Sequence, residues 1–141
     1  MVVRRVLAAV ALALVVTSCS SSGSTSSSSS SSSSSAVAPE DLRASAADVA
    51  SGLAQLQSIA TKVAEVATDS TTAKAQVAQI EPVWQKIEGT VKANDSDAYL
   101  AFEDAFAVLE QAAENGDATK AQQGASSVTA AVTSYLAAYP G

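Results

Sequence analysis

Val77-Ala78-Gln79-Ile80-Glu81-Pro82-Val83-Trp84-Gln85-Lys86-Ile87-Glu88-Gly89-Thr90-Val91 is followed, after a polar break at Asn94-Asp95-Ser96, by Tyr99-Leu100-Ala101-Phe102-Glu103-Asp104-Ala105-Phe106-Ala107-Val108-Leu109-Glu110. In the first half Val77, Ile80, Trp84, Ile87 and Val91, with Ala73 just upstream, recur three and four residues apart, and in the second Tyr99, Phe102, Phe106 and Leu109, with Ala113 just beyond, do the same. That spacing puts each set on one stripe of a helix.

Working outward, Leu42, Ala46, Val49, Leu53, Leu56, Ala60, Val63 and Ala67 form an earlier stripe. A later one runs Ala121, Ala125, Val128, Val132, Tyr135 and Tyr139. No segment alternates with period two, so strands are not expected. Four amphipathic helices with short connections predict an all-α, antiparallel up-down-up-down four-helix bundle over residues 36–141.

Boundary chemistry agrees with the periodicity. Pro39 can open the first helix, Asp69-Ser70 and Asp95-Ser96 offer N-cap side chains, and Asn115-Gly116 can end the third helix. Pro82 lacks an N–H and is expected to kink the second helix, or split it, near residues 78–81; the apolar phase continues across it, which favours the kink. Gly52 and Gly124 fall beside apolar stripes, where a missing side chain lets helices approach. Gly89 falls outside its stripe and costs about 1 kcal/mol relative to alanine.

Upstream of the helices the chain has a different character. Arg4 and Arg5 precede an apolar run from Val6 to Val16, and small residues follow at Thr17 and Ser18. Residues 1–18 have the layout of a secretory signal, too short for a helix spanning a bilayer. The junction Val16-Thr17-Ser18-Cys19 resembles the lipobox of bacterial lipoproteins. That resemblance implies cleavage before Cys19, a diacylglyceryl group on its thiol, and stable anchoring by more than one acyl chain. The alternative is an ordinary signal peptide with an incidental cysteine.

Cys19 is the only cysteine, so no intramolecular disulfide can form and the fold must stand on its core. Residues 19–35 consist of that cysteine and a serine tract interrupted only by Gly23 and Thr25. Such a tract buries nothing against the entropy of ordering it and reads as a tether. The expected location is outside the cell membrane, lipid-anchored to its outer face or to a periplasmic or outer-membrane leaflet.

Residues 36–141 hold all fourteen carboxylates against Arg43 and five lysines. Nucleic acid and anionic lipid are poor partners for that balance; cations or basic surfaces suit it. Histidine is absent, which removes His-containing triads and HExxH-type zinc sites, and no Gly-rich phosphate loop occurs. An enzyme is therefore not expected.

The carboxylates are nevertheless ordered. In a heptad frame Glu81 and Glu88 take successive e positions of the second helix, and Glu103 and Glu110 those of the third. Small residues at g on helices three and four (Ala98, Ala105, Ala112; Gly124, Ala131, Ala138) suit a close contact there, leaving the e flanks to helices two and three. Pairing outward from Asp95-Ser96 sets Glu88 level with Glu103 and Glu81 level with Glu110. Like charges facing across a seam are unfavourable, and a hard cation (Fe3+, Ca2+ or Mn2+) held by Glu81, Glu88, Glu103 and Glu110 would offset them. The competing reading is four solvated rim carboxylates. Trp84, Tyr99, Phe102 and Phe106 read as core, and Tyr135 and Tyr139 as the closure of one bundle end.

The stretch from Glu81 to Gly89, with Tyr99, Phe102-Glu103-Asp104 and Leu109, resembles helical extracytoplasmic segments beside bacterial iron permeases and in related periplasmic proteins of the imelysin group. The resemblance covers about a third of the chain. It implies an iron-linked accessory module with Glu81, Glu88, Glu103 and Asp104 among its ligands. The permease Arg-Glu-x-x-Glu motif, its membrane helices and any histidine motif are missing, so transport itself is not implied. Three readings stay open: an anchored, non-catalytic accessory protein linked to hard-cation uptake, an envelope protein-interaction or structural module without a metal site, and a carrier of a small apolar ligand that uses the abundant alanines to leave a cavity between helices.

Overall fold

The structure, a computed structural model, describes Ala38 and residues 41–141. The signal segment, Cys19, the serine tract and Pro39 lie outside the described residues. Among those described the chain is helical and contains no strand. It forms α1 (Ala46–Val66), α2 (Ser70–Val77), α3 (Ile80–Trp84), α4 (Glu88–Asn94), α5 (Ser96–Asn115) and α6 (Ala118–Ala138).

Side-chain caps set most of the helix starts. The Ser45 hydroxyl accepts from Asp48 N at 3.2 Å and opens α1, and Asp95 Oδ1 accepts from Asp97 N and Ala98 N at 3.0 and 2.9 Å to open α5. Asp69 caps α2 through Thr71 N and Thr72 N, and its other oxygen takes the Thr72 hydroxyl at 2.6 Å. These bonds hold the Asp69 carboxyl below the ordinary range, the Thr72 hydroxyl first and the Thr72 amide second. Gly116 ends α5 at φ 66°, a left-handed conformation that a residue with a Cβ adopts at a cost. Asp117, not anticipated as a cap, accepts from Lys120 N at 2.9 Å and starts α6.

Three expectations are corrected. The expected second helix is not one kinked rod but three pieces. Pro82 has no N–H for the Ala78 carbonyl, and α2 ends just there, with Gln79 N turning back to Gln76 O at 3.0 Å. A second break follows α3, where Lys86 N and Ile87 N reach back three residues to Val83 O and Trp84 O. Both breaks preserve the apolar phase, since Ile80, Trp84, Ile87 and Val91 are all buried. Gly89, expected outside the stripe, is buried, as is Val91 of the same helix. Leu42, expected on the first stripe, is 43 % exposed because α1 begins only after the Ser45 cap.

Helix α6 packs along both α1 and α5, α2 packs against α1 and α5, α3 against α1, and α4 against α5. Gly124 of α6 lies directly against Leu109 of α5, and Gly52 of α1 against Ile87. Gln57 Nε2 donates to Thr129 Oγ1 at 3.3 Å between α1 and α6. The centre is filled by Leu53, Leu56, Val63, Trp84, Ile87, Val91, Phe102, Leu109 and Val128, with no buried polar or charged residue among those described. Tyr135 and Tyr139 close one end with ring centroids 4.9 Å apart. Asn94 ties both: its Nδ2 donates to the Tyr135 hydroxyl at 2.8 Å, and its carbonyl accepts from the Tyr139 hydroxyl at 2.9 Å.

Candidate functional site

The acidic seam predicted between the second and third helices exists in altered form. A groove of about 200 Å³ runs where α2 and α3 meet α5, and Glu81, Glu103 and Glu110 edge it above Trp84 and Phe106. Glu88 does not line it. The second break places Glu88 in the first turn of α4, beyond the part of the wall that faces this groove.

Trp84 organises the floor. It is 2 % exposed, stacks on Tyr99 at 5.8 Å and 22°, and meets Phe102 and Phe106 at 5.2 and 5.3 Å, the latter edge-on. An indole N–H buried this way needs an acceptor, and Glu103 Oε1 supplies one at 2.6 Å, a short charge-assisted bond. Glu103 therefore has a structural task. Lys92 Nζ sits 5.2 Å from the centre of the Tyr99 ring and covers the other end of the aromatic cluster.

Glu110 is the carboxylate whose acidity the groove alters. Partial loss of solvent comes first, followed by the charges of Glu114, Glu81 and Glu103, and together they raise its pKa above the ordinary 4.5. Raised affinity for a proton in the folded state means that the native chain holds a proton the unfolded chain has released. Stability from this group is thus full below 4.5 and is lost as pH rises through the higher folded value. A Glu110→Gln variant is expected to lose that downward slope, measured as melting temperature against pH from mildly acid to neutral. An unchanged slope would assign it to other groups.

Chemically the groove offers hydrogen-bond acceptors and negative potential over an apolar floor. Among the described residues, no group of three or more Asp, Glu, His or Cys side chains is arranged to hold a metal ion. Glu81, Glu103 and Glu110 share the groove without converging, and one oxygen of Glu103 is taken by Trp84. The Trp84–Glu103 bond was not anticipated. The signal for it was available, since a tryptophan on the buried stripe with a glutamate on the facing flank satisfies the need of a buried indole.

No described helix is long and apolar enough to cross a membrane. Compared with protein-family models, with curated proteins and with solved structures, the chain shows no significant match to any of them.

Proposed function

We propose that this chain is the precursor of an exported bacterial lipoprotein, cut before Cys19 and anchored through lipid on that cysteine. Its helical domain serves as a non-catalytic interaction module of the cell envelope. The observation that carries the reading is the order of features in the first 35 residues: basic start, apolar run, Val16-Thr17-Ser18-Cys19, then a serine tether. A tether of this length, treated as a flexible coil, reaches roughly 20 Å and holds a domain clear of lipid headgroups.

The domain is read as an up-down-up-down four-helix bundle in which α2, α3 and α4 together make the second arm. Support comes from contacts that run in opposite chain directions, Gln57 with Thr129 and Ala50 with Gly141 for α1 against the α6 end of the chain, Leu109 with Gly124 and Asn94 with Tyr135 for the α5 side against α6, and from the neighbours of each helix. The cation-uptake reading has less support, because Glu88 stands apart from the groove and Glu103 is already engaged. Excess calcium, manganese or ferric citrate is accordingly expected to leave the melting temperature unchanged; a cation-dependent rise that Glu110→Gln removes would reverse that ranking.

The anchor is tested by Cys19→Ala in the full chain expressed in a bacterial host. The variant is expected to lose its acyl mass and to move from the membrane fraction to the soluble fraction. Retention in the membrane would defeat the reading.

A further inference from the structure

We propose that the open groove between α5 and α6 is a docking surface for a basic amphipathic helix of a partner protein, a refinement that rests on the interaction-module reading. The groove has a volume of about 540 Å³ and is distinct from the acidic seam at α2 and α3. Ala101 and Ala105 of α5 and Ala130 and Ala131 of α6 line it. Side chains this small let a third helix approach close to both backbones.

The charge on the two walls differs. Asp97 and Asp104 stand along the α5 wall, both exposed and seven residues apart, which is two helical turns or about 10 Å. The α6 wall is neutral, since no charged residue occurs from Ala121 onward, and no basic residue lines the groove. A trough of small side chains edged by two carboxylates is the complement of an apolar stripe flanked by Lys or Arg two turns apart.

A second copy of this chain does not fit. No helix among the described residues carries more than one basic residue, so none presents two cations at the required spacing, and two acidic domains repel. Anionic lipid and nucleic acid are disfavoured by the same carboxylates. A basic helix of another protein meets the groove's shape and its sign.

The test uses the full chain in neutral detergent and a fluorescent peptide of about five helical turns that carries lysines seven residues apart beside an Ala/Leu stripe. Anisotropy titration is expected to show saturable, salt-sensitive binding. Asp97→Asn with Asp104→Asn should weaken it about tenfold, as should Ala101→Trp, which fills the groove. Glu65→Gln with Glu114→Gln removes the same charge elsewhere and should change it less than about twofold. Circular dichroism of each variant checks that the fold persists. Absence of binding, equal losses in both charge-neutralised variants, or self-association abolished by Ala101→Trp would overturn the docking site. Membrane fractionation of the same wild-type preparation separates the two levels: a failed titration with an anchored chain removes the groove alone, whereas an unanchored chain removes the reading beneath it.

Discussion

Replacing Trp84 by alanine is expected to cost about 3–5 kcal/mol of folding stability. The side chain is 2 % exposed and touches three aromatic rings from α5, so its removal leaves a cavity that those rings cannot all close. A second loss compounds the first, because Glu103 gives up the 2.6 Å bond from the indole N–H and keeps its charge beside an apolar floor. Trp84→Phe separates the two contributions, retaining most ring contacts while deleting the donor. Urea unfolding followed by circular dichroism should rank wild type above Trp84→Phe above Trp84→Ala. If both variants unfold with the wild type, the aromatic cluster does not support α3 against α5.

Gly124→Ala is expected to destabilise by about 1–3 kcal/mol, although alanine is the better helix former by about 1 kcal/mol. A Cβ built at Gly124 lies 2.9 Å from Cγ and Cδ2 of Leu109 and 3.3 Å from its backbone nitrogen. Rotating the leucine relieves the first two contacts. The third belongs to the α5 backbone, so α5 and α6 must separate. Gly52→Ala provides the contrast, since the nearest atoms to its Cβ belong to the Ile87 side chain, at 3.0 Å. Melting curves should show a drop of several degrees for Gly124→Ala and a smaller change for Gly52→Ala. A higher melting temperature for Gly124→Ala would mean that the α5–α6 approach is looser than described.

Much of this architecture is written in local rules. The three-and-four spacing located α1, α5 and α6 to within a few residues, and the cap residues Asp69, Asp95 and Gly116 behave as side-chain chemistry requires. The second wall was harder to read, because apolar periodicity reports which face is buried and not whether the rod is continuous. Ile80, Trp84, Ile87 and Val91 stay on the buried side across two breaks, so their spacing carries no trace of them. Pro82 announces the first break; nothing comparable announces the second, at Gln85–Ile87.

That second break also limited the reading of the acidic seam. A heptad frame extrapolated through it carried Glu88 onto the same flank as Glu81, whereas Glu88, in the first turn of α4, does not line the groove that Glu81 edges, and Gly89 is buried. The segments facing α5 before the break kept their register: Glu81, Glu103 and Glu110 share one groove, and the raised pKa of Glu110 follows from burial and those neighbours. The α5–α6 groove escaped the sequence reading for another reason. Alanines at Ala101, Ala105, Ala130 and Ala131 suit helix packing and an open trough equally well, and only the placed backbones distinguish the two.

Intact-mass spectrometry of the wild-type chain purified from bacterial membranes reads the cleavage site and the lipid on Cys19 together. The expected result is a mature protein that begins at Cys19 and carries the added mass of a diacylglyceryl group, recovered with the membrane. A mature chain that begins elsewhere, or an unmodified Cys19 in a soluble protein, would contradict it.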